Sequence, residues 1–97
     1  MIRSFQDRGT EDIFDGADSP AARRVCPRDV WGVARRKLDQ INRVRSLLEL
    51  AIPPGNHLER LLGNRSGQHS IRINDQYRVC FRWEVGDAYE VEITDYH

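Results

Sequence analysis

Apolar and polar positions alternate most clearly toward the C-terminal end of the chain. His69, Ile71 and Ile73 alternate with Ser70, Arg72 and Asn74. Tyr77, Val79, Phe81 and Trp83 alternate with Arg78, Cys80 and Arg82, and Tyr89, Val91 and Ile93 with Glu90, Glu92 and Thr94. A period of two marks half-buried strands. Three strands are therefore predicted, with one aromatic and branched face and one charged face. Asn74-Asp75 suits a two-residue hairpin turn because both residues tolerate positive φ, and Gly86-Asp87 makes the next turn. Upstream the period changes. Val30, Val33, Ala34, Leu38, Ile41, Val44 and Leu48 recur at steps of three and four, with Arg35, Arg36, Asp39, Gln40 and Arg43 on the opposite side. This predicts an amphipathic helix with Asp29 as N-cap, open to a break between Asn42 and Ser46. It must end before Pro53-Pro54-Gly55, since proline lacks the amide donor and restricts its predecessor.

The remaining pattern is weaker. Met1 to Phe5 reads as a short first strand. Thr10 can cap a short helix, Glu11 to Asp15, that Gly16 ends. Ala17 to Pro27 reads as a loop with Pro20 and Pro27 as breakers. His57 to Leu62 reads as a short strand and Gly63 to Gly67 as a turn. The class is α+β: an N-terminal strand and two to three helices packed on a mainly antiparallel C-terminal sheet. No repeat or linker interrupts residues 1–97, so a single domain is expected.

Composition narrows the function classes. A hydrophobic share of 39% with 31% charged residues is ordinary for a soluble globular chain. No apolar run approaches the roughly 20 residues needed to cross a bilayer. MIRSFQDRGTED lacks the apolar stretch of a secretory signal, so a cytoplasmic protein without membrane partners is expected. Cys26 and Cys80 have neither metal spacing nor a CxxC, and both read as reduced thiols, Cys80 packed in a strand. No histidine stands at a ligand-like spacing from a cysteine, so neither metal nor cofactor is expected.

The net charge of zero hides an asymmetry. Residues 1–20 hold two basic and five acidic side chains, a net of −3. Residues 21–82 hold thirteen and five, a net of +8, and residues 83–97 hold none and five, a net of −5. All the cations except Lys37 are arginines. Arginine's planar fork matches phosphate bidentately and stacks on bases. Two readings of the middle block stand: a polyanion-binding surface, or a solvated helix face with cross-strand ion pairs.

Cleaving RNA needs few parts. A base takes the 2′-hydroxyl proton, cations stabilise the phosphorane, and an acid protonates the leaving 5′-oxygen. Arg78 and Arg65 are candidates for the second task. His97 can act as acid or base because imidazole titrates near neutral pH. Tyr96 can stack on a base or move a proton, and Asp95 can orient either group. Each has a plainer reading. Arg78 and Arg82 can simply pair with Glu90 and Glu92, Tyr96 can cover a sheet edge, and His97 can be a frayed end. His69 falls on the apolar parity and reads as packed. His57 reads as an exposed loop residue, and Trp31 and Trp83 as core.

One further pattern concerns the whole chain. The run PPGNHLERLLGNRSGQHSIRINDQYRVCFRW, the ending EVEITDYH and the opening MIRSF together resemble the HigB group of bacterial killer proteins in the RelE/ParE toxin superfamily. The resemblance covers nearly the whole chain and is weakest between Asp15 and Pro27. It implies a compact RelE-like domain and a type II toxin that cleaves messenger RNA in the decoding site of a translating ribosome, without a metal. It implies a helix-turn-helix antitoxin as partner, with operator DNA bound only through the toxin–antitoxin complex. Carried over by position, the catalytic residues are Arg78, Asp95, Tyr96 and His97. Arg65 matches a basic position facing RNA, and Arg60, Arg72, Arg36 and Arg43 join it as expected RNA or ribosome contacts. Two departures count against full activity. Many relatives carry Lys where this chain has Leu62, and some carry His where it has Glu59. The runner-up reading is therefore a weak or inactive relative that binds its antitoxin as co-regulator of the operon. A gyrase-poisoning relative of the ParE branch is a third reading, against which the Asp-Tyr-His ending argues.

Overall fold

The architecture comes from a computed structural model that describes residues 1–95; Tyr96 and His97 lie outside the described residues. Among these residues, three α-helices pack on one face of an antiparallel sheet. The helices are α1 (Arg8–Asp15), α2 (Pro20–Val25) and α3 (Arg28–Arg43). The sheet has β1 (Glu59–Arg60), β2 (Gln68–Arg72), β3 (Tyr77–Glu84) and β4 (Asp87–Asp95), in that spatial order. Ala34, Leu38 and Ile41 of α3 and Ile13 of α1 meet Ile71, Val79, Phe81, Val91 and Ile93 in one buried cluster. The period-of-3.6 and period-of-two stripes thus face each other, as expected. No helix among the described residues is long and apolar enough to cross a membrane.

The helical half departs from expectation at its ends. α1 begins earlier than the predicted helix because Asp7, not Thr10, is its cap: the Asp7 Oδ1 accepts from the Thr10 amide at 2.7 Å. Thr10 is buried and its hydroxyl accepts from the Ile93 amide at 3.1 Å, tying α1 to β4. Gly16 ends α1 in the left-handed region, as predicted. The predicted loop at 17–27 contains α2. Ser19 caps it and Pro20 takes its first position, where a missing amide donor costs nothing. The two helices approach closely at Gly9, where an added Cβ would lie 2.5 Å from the Ala21 carbonyl oxygen. α3 starts after Pro27 with no side-chain cap, so Asp29 sits in the first turn rather than at the cap. After α3 a 3-10 turn, Leu47–Ala51, starts with a capping box in which Ser46 and Glu49 exchange hydrogen bonds.

The sheet departs at its turns. The chain between Arg72 and Tyr77 is an Asx turn: the Asn74 Oδ1 accepts from the Gln76 and Tyr77 amides at 2.9 and 2.7 Å, and neither Asn74 nor Asp75 takes positive φ. The second turn is Val85-Gly86, not Gly86-Asp87. Glu84 pairs with Asp87, and both loop residues have positive φ, 48° and 83°. Glu90, at φ 54°, is an extra residue in β4 between the Cys80–Glu92 and Arg82–Tyr89 pairs. This bulge reverses the parity of β4. Ala88 is therefore buried with Val91 and Ile93, and Tyr89 leaves the predicted apolar face to lie under Arg82, 5.5 Å from guanidinium to ring centre. The bulge also explains the first strand. Residues 1–6 run parallel to β4, but the ladder is cut into isolated bridges at Ile2–Ala88 and Phe5–Val91, with the Ser4 hydroxyl taking the Glu90 amide at 2.8 Å.

A candidate phosphate-binding cleft

The hairpin register sets Arg72 directly opposite Arg78. Two like charges facing each other across a ladder destabilise it unless something neutralises them. Here both guanidiniums border a surface cleft of about 250 Å³, lined by His57, Glu59, Arg72, Asn74, Asp75 and Arg78. Arg72 pairs with Asp75. Glu59 lies 3.9 Å from Arg78.

Arg78 is held more firmly than a surface cation. It is 8% exposed. Its Nε donates to the Ser70 Oγ at 2.8 Å, and Nη2 donates to the His57 carbonyl at 2.7 Å. Ser70 is fully buried on the neighbouring strand, so β2 fixes the plane of the guanidinium. The His57 carbonyl is presented by a left-handed residue, φ 45° and ψ 58°, at the end of a 3-10 turn, Pro54–Asn56. Asn56 pins that turn from inside: it accepts from the Lys37 Nζ at 2.6 Å and donates to Gln40 and to the Leu50 carbonyl, both at 2.9 Å. The helix layer therefore positions the loop that holds Arg78. None of this is visible in the alternation, so Ser70, Asn56, His57 and Glu59 were not predicted as site residues. The composite PPGNH, a turn that forces one residue into the left-handed region, is the one signal that could have marked them.

The other expected site residues divide. β4 ends beside Arg78, with Thr94 as its register partner and Asp95 opposite Tyr77. Asp95 accepts from the Gln76 Nε2 at 2.9 Å, which links it to the loop carrying Asn74 and Asp75. The expected positions of Tyr96 and His97 lie outside the described residues. Arg65 crosses the outer sheet face, donating to Gln68 and pairing with Glu92, each at 3.0 Å. Beneath it Cys80 is buried with its thiol shifted upward, mainly by desolvation and against the pull of Arg65. Both cysteines are free and buried, Cys80 packed in β3 as predicted. Arg82 pairs with Glu90 at 3.2 Å and with Glu84, the plainer reading for that residue; Arg78 pairs with neither Glu90 nor Glu92. Arg60 is exposed on β1, opposite His69. His69 packs 6.2 Å from the Phe81 ring, and burial pushes its pKa down. Arg36 and Arg43 stand on α3, on the other side of the sheet, and do not line the cleft. Leu62, the departure noted in the sequence, is 79% exposed. Among the described residues no three of His, Cys, Asp and Glu gather closely enough to hold a metal ion.

Fold and cleft define a class: a small α+β protein with two guanidiniums bordering an open polar cleft beside the end of its last strand. Comparison with known proteins makes the class specific. Residues 3–97 match the family model described as the RelE-like toxin of type II toxin–antitoxin system HigB, and the chain belongs to that family. It is similar to Toxin HigB-1 of Vibrio cholerae serotype O1 (strain ATCC 39315 / El Tor Inaba N16961), 35% identical over 88 residues that cover 91% of this chain and 90% of that one. It is similar also to Endoribonuclease HigB of Proteus vulgaris, 30% identical over the whole of both chains. An uncharacterized protein of Haemophilus influenzae (strain ATCC 51907 / DSM 11121 / KW20 / Rd) is 40% identical over 62 residues, 64% of this chain and 61% of that one. Membership in a type II toxin–antitoxin family implies an antitoxin partner.

Proposed function

We propose that this protein is the toxin of a type II system and acts as an endoribonuclease, cutting messenger RNA in the decoding site of the translating ribosome without a metal and so halting translation. The observation that carries the reading is Arg78: a nearly buried guanidinium, anchored by Ser70 and His57, that faces an open polar cleft beside the end of β4. A fixed cation aimed at the scissile phosphate lowers the barrier because it stabilises charge that develops only in the transition state. Arg72 adds a second cation from the opposite strand. Asp95, Tyr96 and His97 complete the proposed site, supplying orientation and proton transfer. Arg60 and Arg65, with Arg36 and Arg43 on the helix layer, serve as ribosome contacts. The partner is a helix-turn-helix antitoxin of the HigA kind, which carries the complex to operator DNA, and the site of action is the cytoplasm. The RNase activity named for the Proteus vulgaris relative supports this reading.

One observation favours the alternative of a weak nuclease acting mainly with its antitoxin. Glu59 and Asp75 already pair with the two cleft arginines. Primer extension on ribosome-bound message separates the two. The nuclease creates new 5′ ends, and Arg78→Ala lowers their rate of appearance by roughly 10²- to 10³-fold, the usual loss of one transition-state donor. Absence of new ends with the parent protein leaves the co-regulator reading.

A further inference from the structure

We infer that His57 is a proton-transfer residue of this cleft, working on the flank of Arg78 opposite the end of β4. The inference rests on the RNA-cleaving reading above and assigns that site a group from outside the strands. His57 is exposed and is one of the residues lining the cleft, and its carbonyl holds the Arg78 Nη2 at 2.7 Å. One residue that fixes the guanidinium thus also carries an ionisable side chain at the border of the same cleft. Its backbone is left-handed, a conformation that non-glycine residues seldom take and that tends to persist where surrounding structure enforces it. The enforcing contacts are those of buried Asn56.

Geometry supplies the reason for a second flank. In an in-line displacement at phosphorus the entering and leaving oxygens lie on opposite sides, so the groups that serve them must come from opposite sides as well. Arg78 has Thr94 of β4 on one side and Arg72 of β2 on the other. β1 extends the sheet beyond β2, with Glu59 opposite Ser70, so His57 stands on the β2 flank. The groups facing it in the cleft are the carboxylates of Glu59 and Asp75 and the guanidiniums of Arg72 and Arg78. In the step proposed, the neutral imidazole takes the 2′-hydroxyl proton as O2′ bonds to phosphorus. The P–O5′ bond breaks, and O5′ takes a proton from an acid of the β4 ending. The products are a 2′,3′-cyclic phosphate and a 5′-hydroxyl.

His57→Asn and His57→Gly test this, because both replacements tolerate a left-handed backbone and keep the carbonyl that holds Arg78. Single-turnover cleavage of a defined message on translating ribosomes is followed from acid to mildly alkaline pH, with a thermal melt of each variant and Arg78→Ala in parallel. Both His57 variants are expected to melt near the parent, to lose roughly 100-fold in cleavage rate with KM little changed, and to lose the parent's fall in rate toward acid pH. Cleavage at the parental rate overturns the inference. So does a slower rate with the acid limb retained, since His57 would then only position Arg78. In either case a loss with Arg78→Ala leaves the nuclease reading standing, whereas a parent that cuts no message removes both.

Discussion

Ser70→Ala isolates the bond that orients the central arginine. Ser70 is fully buried and its Oγ accepts from the Arg78 Nε at 2.8 Å. A hydrogen bond to a charged group contributes about 1.5–3 kcal/mol net, and deleting the acceptor leaves a desolvated donor behind. Arg78 is only 8% exposed, so water can replace the lost oxygen poorly. A loss of about 2 kcal/mol is expected, which in a chain of this size lowers Tm by roughly 8–16 °C. The same change should slow message cleavage, because the guanidinium keeps the His57 carbonyl but loses the contact that sets its plane. Urea denaturation followed by the fluorescence of Trp31 and Trp83 gives the stability term, and a cycle with Arg78→Ala isolates the pair. In the Arg78→Ala background the serine hydroxyl has lost this donor, so Ser70→Ala should there be close to neutral. An equal cost in both backgrounds refutes the reasoning: the hydroxyl would then matter for packing and not for the arginine.

Two further outcomes follow from the backbone and from burial. Val85 is fully exposed and sits at φ 48°, a left-handed position that costs a β-branched residue about 1–2 kcal/mol. Val85→Asn loses no packing and should raise stability by about 1 kcal/mol, read as a higher urea midpoint; an unchanged midpoint would show that the turn carries no strain. His69 has its pKa lowered by burial first and by Arg60 second. The unfolded chain therefore binds that proton before the folded one does. The stability it contributes is full above its unfolded pKa of about 6.5 and falls as pH drops from there to the folded value. Unfolding free energies at pH 7.5 and 5.5 should differ in the parent and differ less in His69→Gln; the same difference in both removes His69 as the cause. The carboxylates of Asp12 and Asp87, held below their ordinary range chiefly by hydrogen bonds from Ser19 and Arg3, add a further loss only below about pH 4.

Periodicity proved legible where one face of an element is buried against another. The α3 stripe and the β2 and β3 alternation landed as expected because burial enforces a period there, except at Leu48, which lies past the end of α3 and is 75% exposed. Three misses have separate causes. Pro20 was read as a breaker, but a proline at a helix start breaks nothing, and Ser19 before it was the overlooked cap. The Tyr89 face was wrong because one extra residue, Glu90, flips all that follows in β4, and no local pattern marks a bulge whose donor is met by Ser4, 86 positions away. Ser70 and Arg78 were assigned to a face correctly, but their burial was not predicted. Alternation says which side a residue takes but not whether a later loop covers it, and here Asn56 and His57 provide that cover.

The same distinction bears on how the site works. Arg72 opposite Arg78 follows from the observed hairpin register, whereas the two-residue turn expected at Asn74-Asp75 would have set Arg72 opposite Tyr77; in isolation such a pair is a liability. What fits it to the binding site proposed above is the loop from Asn56 to Glu59, which anchors one arginine with a carbonyl and screens it with a carboxylate. Screening by Glu59 at 3.9 Å is loose, and Glu59 is itself exposed, so a phosphate can displace it at small cost. The Ser70 and His57 contacts to Arg78 are shorter and largely buried, so they should persist when the ligand enters. Anchors that stay and a counter-ion that leaves are what a cation must have to meet a transition state without reorganising.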